Sequence, residues 1–184
     1  LVGQQGTTKN ISKTGDNSAF NNFNESFSFW INLSGSNFSG SATHDKKYLL
    51  LMRSGSTTDV SKELYVSSSG ELIFNLYYGS KIRKYSLSKF QITNQSKSFL
   101  NIIINNTYPA SAPAPNATAI YVNGVSQSVS LTETGGAVHN ARSERTISDG
   151  TIFLMSSASA GGIFQGSFHS VGFFSKKLST SDIS

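Results

Sequence analysis

Short runs of alternating apolar and polar residues, with almost no helical periodicity, constrain the fold of this chain more than any other feature. Between Phe27 and Leu33 every second residue is large and apolar, and Trp30 lies among the residues between them. Side chains along a β-strand point alternately to opposite faces, so this run predicts a strand with one core face and with Trp30 on the other face. Similar runs recur between clusters of Gly, Ser and Asn, which is typical of an all-β sandwich or barrel.

The same reasoning predicts about ten strands and no helix of consequence. The strongest turn signal is Asn123-Gly124, because a two-residue type I′ turn requires positive φ at both positions. A second hairpin is predicted around a loop that ends in Gly70. The predicted strands are residues 27–33, 48–53, 63–66, 71–78, 81–87, 99–104, 119–122, 125–131, 151–155 and 164–174.

Size and apolar content indicate one domain that spans residues 1–184. Hydrophobic residues make up 37% of the chain and thirteen of its residues are Phe, which is enough apolar surface for a substantial core. There is no Cys, so disulfides and thiolate metal sites are excluded. The sequence starts without an initiator Met or a signal peptide, and we interpret it as a segment of a longer surface protein.

Charged residues are unusually few for a soluble domain. Only 14% of residues are charged, and Ser, Thr, Asn and Gly supply the polar surface, as in secreted, cell-wall and virion proteins. The formal net charge of +5 comes from scattered basic residues and not from a basic stripe, so no nucleic-acid partner is predicted. No apolar run is long enough to cross a membrane, so we do not expect direct membrane insertion.

Three motifs resemble those of concanavalin A-like, laminin G-like jelly rolls. The segment from Phe164 to Ile183 resembles that family's closing signature, F-x-G-x-I-D-x-V followed by a polar turn and L-S-x-x-E/D-I. The run Phe27-Ser28-Phe29-Trp30-Ile31 resembles its first core strand, and Ala119-Ile120-Tyr121-Val122-Asn123-Gly124-Val125 resembles its hairpin. The resemblance implies an antiparallel jelly-roll β-sandwich whose relatives hold ligands on a concave sheet face or at rim loops. The fold hosts lectins, glycanases, adhesion modules and spacers, so it does not fix the function.

Catalytic machinery is not evident in the sequence. Glycanases of this fold place two acidic residues close together on one strand face, and no such cluster occurs here. No nucleophile motif is present, so we expect a protein that is not an enzyme.

No cofactor is predicted, although the sequence leaves open whether the fold binds a structural calcium ion. Relatives often bind Ca²⁺ through an acidic residue in the last strand, where this chain has His169. That leaves Asp45, Asp59 and Asp149 as scattered candidate ligands.

Sugar sites combine aromatic rings with planar polar side chains, and two regions offer such sets. The first is the set of strand residues predicted to point away from the core, and the second is the loops at the rim, where recognition often lies. The strand residues are Trp30, Asn75, Tyr77, Arg83 and Tyr85. The rim residues are Tyr108, His139, Asn140, Arg142 and Arg145.

Two functions follow from these features. The first is a non-catalytic module of an extracellular, cell-surface, virion or phage-fibre protein that binds a carbohydrate or glycosylated receptor in adhesion. The alternative is a structural or protein-interaction module without sugar binding, which would present a flat apolar patch instead of a polar cleft.

Overall fold

The computed structural model describes residues 11–14, 24–33, 46–53, 60–67, 69–78, 81–88, 99–107, 117–135, 151–154 and 166–183. These residues form strands, as the alternating pattern predicted, together with turns and one short C-terminal helix that was not predicted. The elements are β1 (Ile11–Thr14), β2 (Asn24–Leu33), β3 (Lys46–Arg53), β4 (Val60–Ser67), β5 (Leu72–Tyr78), β6 (Lys81–Leu87), β7 (Leu100–Thr107), β8 (Ala117–Val122), β9 (Val125–Gln127), β10 (Ser130–Thr134), β11 (Thr151–Leu154), β12 (Gly166–Phe174) and α1 (Thr180–Ile183).

Two antiparallel sheets form a β-sandwich, so the predicted fold class is confirmed. The larger sheet has seven strands in the order β1-β11-β3-β4-β5-β6-β10, and the smaller has five in the order β12-β2-β7-β8-β9. Phe27 of the five-stranded sheet packs against Phe74 of the seven-stranded sheet, with ring centroids 6.2 Å apart. One continuous apolar core therefore lies between the sheets.

Both predicted hairpins are present. Asn123 and Gly124 have φ values of 51° and 77°, as a type I′ turn requires, and Val122 pairs with Val125 across the turn. The β4–β5 turn closes through a hydrogen bond from the Gly70 N–H to the Ser67 carbonyl.

The structure differs from the sequence prediction at two strands. Residues 125–131, predicted as one strand, divide into β9, which pairs with β8, and β10, which pairs with β6 in the other sheet. The chain thus passes from one sheet to the other within this segment. Strand β1 was not predicted, because its four residues, Ile11–Thr14, show too little apolar alternation to stand out.

The C-terminal segment covers part of the outer face of the five-stranded sheet. Leu178 and Ile183 form a small buried cluster with Ile103 of β7. The Leu178 N–H donates to the Ser26 hydroxyl oxygen at 3.1 Å, and the Asn105 side-chain N–H donates to the Leu178 carbonyl at 3.0 Å. The L-S-x-x-D-I ending seen in the sequence therefore anchors the tail to the sheet.

We expect Ser26→Ala to lower the free energy of unfolding by about 1–2 kcal/mol, because it removes one of the two acceptors of the buried Leu178 N–H and the hydroxyl that donates to the Lys176 carbonyl. Urea unfolding measures the change. Ser28→Ala, at a half-buried position on the same strand face, is the matched control and should stay within about 0.5 kcal/mol of the parent. Equal losses in the two variants would show that the tail contact contributes no stability.

Candidate functional site

The predicted site residues lie in three separate places. Asn75 and Tyr77 are on the outer face of the seven-stranded sheet, opposite the core face that holds Phe74 and Leu76. Trp30 is on the outer face of the five-stranded sheet and is 41% exposed. These three side chains therefore point away from the core as predicted, but they do not form one site.

The predicted outward orientation of Arg83 and Tyr85 is wrong. Tyr85 pairs with Phe74 across β5 and β6, and residues directly opposite each other share a sheet face, so Tyr85 lies in the core. Its ring stacks on Phe74 with centroids 6.5 Å apart. Arg83 is 2% exposed, and its Nε donates to Glu133 Oε1 at 2.8 Å. Leu87 lies two residues after Tyr85 and belongs to the core. Alternation along β6 was therefore the sequence signal that Arg83 and Tyr85 face the core.

A polar cluster surrounds Glu63 on the outer face of the seven-stranded sheet. One oxygen, Oε1, accepts hydrogen bonds from Lys46 Nζ at 2.8 Å, from Asn75 Nδ2 at 2.8 Å and from Tyr77 Oη at 2.7 Å. Glu63 is 1% exposed, whereas the Lys46 side chain is 36% exposed. We call Lys46, Glu63, Tyr65, Asn75 and Tyr77 the Glu63 cluster; its members come from three neighbouring strands, β3, β4 and β5.

Two aromatic rings lie beside the Lys46 ammonium group of the Glu63 cluster. Lys46 Nζ lies 4.7 Å from the ring centroid of Tyr65 and 5.8 Å from that of Tyr48, within the range of a cation–π interaction. The two rings are themselves 5.9 Å apart, because Tyr48 and Tyr65 are directly paired on β3 and β4. The cluster thus combines a carboxylate, an amide, an ammonium group and phenol rings on one sheet face.

Burial and the Glu63 carboxylate keep the two phenols neutral. Burial, and then the neighbouring Glu63 charge, raise the pKa of Tyr65 to about 12. The same two causes raise the pKa of Tyr77 further above its ordinary value of 10.0. Both hydroxyls therefore stay protonated above pH 10.0, where an ordinary phenol ionises, and Tyr77 remains a hydrogen-bond donor to Glu63 there.

The raised pKa values predict a loss of stability at high pH. Above pH 10.0 the unfolded chain releases the protons of Tyr65 and Tyr77, but the folded chain retains them until about pH 12 or above. The unfolded state then binds fewer protons, so the free energy of unfolding falls as the pH rises through this window. Phenolate absorbance should show at least two of the seven tyrosines titrating late, and one fewer in Tyr77→Phe. Seven tyrosines that all titrate near pH 10.0 would contradict this prediction.

One atom of the cluster has no hydrogen-bond partner. Asn75 donates through Nδ2 to Glu63, while its Oδ1 is buried and accepts nothing. Buried amide oxygens in folded proteins are rarely left unpaired, so such an atom requires an explanation. A hydroxyl or N–H group of a ligand would supply the missing donor.

A second group of aromatic residues lies on the opposite side of the molecule. Trp30 is directly paired with Asn101 on β7 and with Ser170 on β12. Phe99 is 43% exposed, and its ring lies 5.7 Å from that of His169, which sits at an irregularity in the β12 pairing. We call Trp30, Phe99 and His169 the Trp30 patch. It is more exposed and less polar than the Glu63 cluster.

Glu63 and Lys46 were not predicted from the sequence as site residues. Glu63 reaches Asn75 only because β4 and β5 pair in the register that places the two residues opposite each other. The hairpin around Gly70 was the available signal, since its loop length sets that register. Tyr108, His139, Asn140, Arg142 and Arg145 lie outside the described residues.

No cluster of three or more metal-ligating side chains occurs among the described residues. Asp45, Asp59 and Asp149, the candidate calcium ligands, lie outside them. Within the same part of the chain, no helix is long and apolar enough to cross a membrane.

Comparisons with known proteins identify a fold but no family. No protein-family model matches the sequence, and no curated protein is significantly similar to it. The structure does resemble the botulinum neurotoxin type G receptor-binding domain, with a TM-score of 0.58 and 14% identity over 88% of this chain and 36% of that one. A second structure of the serotype G binding domain matches 100% of this chain and 40% of its own, with a TM-score of 0.59 and 14% identity.

A structure of NanB with Optactamide is also similar, with a TM-score of 0.61 and 12% identity over 100% of this chain and 27% of that one. The chain therefore spans well under half the length of each of these proteins. At such low identity the likeness establishes a shared β-sandwich fold and nothing finer.

Proposed function

We propose that this chain is a non-catalytic glycan-binding module of a secreted or surface-exposed protein, and that the Glu63 cluster is its binding site. The observation that carries the proposal is the buried, unpaired Oδ1 of Asn75 among phenol rings and a carboxylate. Support for a binding role comes from a neighbour of the same fold that is a receptor-binding domain. The three sequence motifs favour placing the chain among laminin G-like jelly rolls.

The cluster suits a polyhydroxylated ligand. Sugar hydroxyls both donate and accept hydrogen bonds, so one hydroxyl can donate to Asn75 Oδ1 while another accepts from the Lys46 ammonium group. Lys46 is more accessible than Glu63, the other charged group of the cluster. The rings of Tyr48 and Tyr77, both half-buried, offer apolar faces for the C–H groups of a sugar ring.

A binding role fits the cluster better than glycoside hydrolysis does. Hydrolysis requires two carboxyl groups on either side of the scissile bond, about 5–5.5 Å apart in retaining enzymes. Among the described residues, Glu63 is the carboxylate to which the other cluster side chains donate, and its Oε1 already accepts three hydrogen bonds. A carboxylate held in this way organises the neighbouring side chains.

A glycan array tests this function directly. The purified domain should bind a chemically related group of glycans, and it should do so equally with calcium and with a chelator, because the Glu63 carboxylate is already occupied by three donors. A blank array under both conditions would contradict the proposal. Binding that disappears with the chelator would show that a metal ion, and not the cluster alone, forms the site.

The Trp30 patch favours a second function, a protein-interaction module. Trp30 and Phe99 are 41% and 43% exposed, and exposed tryptophan is enriched at the centres of protein interfaces. Concentration-dependent assembly in sedimentation experiments, abolished by Trp30→Ala, would support this function. A monomer at all concentrations would argue against self-association through the patch.

A further inference from the structure

Four polar side chains meet inside the sandwich, away from the Glu63 cluster. Lys62 Nζ lies 2.9 Å from Glu25 Oε1 and 3.0 Å from Glu25 Oε2. Asn106 Nδ2 donates to Glu25 Oε1 at 3.1 Å, and the Thr118 hydroxyl donates to Asn106 Oδ1 at 2.8 Å. Glu25, Lys62 and Asn106 are each no more than 2% exposed.

These groups come from both sheets. Lys62 belongs to β4 and pairs with Met52 and Leu76, so its side chain enters the interior from the seven-stranded sheet. Glu25 and Asn106 are paired on β2 and β7 of the five-stranded sheet. The contact between Lys62 and Glu25 therefore joins the two layers of the sandwich.

A buried ion pair carries a large desolvation penalty. Removing two charges from water costs several kcal/mol for each ion, and the attraction between them does not always offset that cost. Transfer of one proton from Lys62 to Glu25 neutralises both groups. The product is an uncharged amine, which is a nucleophile, and it shares its contact with Glu25 Oε1 with the side-chain amide of Asn106.

We infer that Lys62 and Asn106 form an intramolecular isopeptide bond, with Glu25 as the proton relay. The neutral Lys62 Nζ attacks Asn106 Cγ, and the protonated Glu25 delivers its proton to Asn106 Nδ2. The bond from Cγ to Nδ2 breaks and ammonia leaves, while the Glu25 carboxylate takes the second proton of the attacking amine. A new amide bond joins Nζ to Cγ, so atoms and protons balance without an oxidant or a cofactor.

The contacts match the proton transfers of this reaction and the charge that develops during it. Glu25 Oε1 touches both the attacking nitrogen and the leaving nitrogen, at 2.9 Å and 3.1 Å, which is the placement that a proton relay between them requires. The hydroxyl of Thr118 donates to Asn106 Oδ1, the oxygen on which negative charge develops during the attack. Holding the reacting groups together in an interior that excludes water favours the reaction entropically.

The bond would give the sandwich a covalent link between its sheets. The chain has no Cys and so cannot form a disulfide. A link between β4 and β7 would restrict the unfolded chain in the same way as a disulfide and would resist mechanical separation of the layers. This inference is independent of the proposed glycan binding.

Mass spectrometry of the intact, denatured wild-type chain is the first test. We expect a mass lower than that of the sequence by one ammonia molecule, and a branched proteolytic peptide that joins Lys62 to Asn106. A succinimide at Asn123-Gly124 would produce the same mass loss, but mild base hydrolyses a succinimide and leaves an isopeptide bond intact. A wild-type chain of full mass, or a loss that mild base reverses, would overturn the inference.

Variants separate the roles of the residues. Glu25→Gln removes the relay but keeps both reacting groups, so the chain should retain its full mass, as should Lys62→Arg. Lys84→Arg, two strands away on β6 of the same sheet, is the matched control and should still lose ammonia. Thr118→Val, which keeps the size of the side chain, should slow bond formation several-fold. Retention of the branched peptide in Glu25→Gln would contradict the assigned relay.

Discussion

Phe27→Ala will lower the free energy of unfolding by about 4 kcal/mol, the larger of two expected stability losses. Phe27 is 1% exposed, and its ring lies 6.2 Å from that of Phe74 and 5.8 Å from that of Phe173, edge-on in the second case. Truncation removes both aromatic contacts and leaves a cavity between two sheets that cannot easily collapse.

Urea unfolding followed by fluorescence would measure this loss, with Phe174→Ala as the control. Phe174 follows Phe173 on β12 but is 36% exposed, so its truncation should cost less than about 1 kcal/mol. A loss in Phe27→Ala no larger than in the control would mean that the two sheets do not pack through this residue.

Glu133→Gln will destabilise the chain by about 3 kcal/mol, because it removes the carboxylate charge to which the buried Arg83 guanidinium donates. Arg83 is 2% exposed and donates to Glu133 through both Nε and Nη2, whereas the Glu133 side chain is 27% exposed. The cost arises mainly from the buried cation and not from the more accessible carboxylate.

The matched control for this ion pair is Glu71→Gln. Glu71 is half-buried and accepts a hydrogen bond from the exposed Ser69 hydroxyl, so its neutralisation should change the unfolding free energy by no more than about 0.5 kcal/mol. The double variant Arg83→Met with Glu133→Leu should recover most of the lost stability, since it removes both charges. Equal stabilities for the Glu133 and Glu71 variants would show that Arg83 does not depend on Glu133.

The fold was largely predictable because strand alternation is a local property. Residues 27–33 and 71–78 each show which side chains share a face without reference to any other strand. The turn at Asn123-Gly124 could also be predicted locally, because Asn and Gly adopt positive φ more readily than other residues. The division of residues 125–131 between two sheets depends on which partner strand each half meets, and that information is not local.

The candidate site was less predictable because it depends on register between strands. Asn75 and Tyr77 were placed on the correct face by alternation within their own strand, but their shared partner, Glu63, lies on β4. Arg83 and Tyr85 were placed on the wrong face because the local signal, Leu87 in the same alternation, was not used, and the pairing of Tyr85 with Phe74 depends on register. Arg83 and Tyr85 were assigned to a binding site because they were predicted to point away from the core.

Affinity for the strongest glycan of the array, compared across three variants, tests the central claim most directly. Asn75→Ala and Tyr77→Phe alter the Glu63 cluster, whereas Trp30→Ala alters the opposite face. Each neutral hydrogen bond contributes about 0.5–1.5 kcal/mol, so we expect Asn75→Ala to weaken binding by about tenfold and Tyr77→Phe by about threefold, with Trp30→Ala unchanged. Unchanged affinity in both cluster variants, together with lost binding in Trp30→Ala, would contradict the assignment of the site to the seven-stranded sheet.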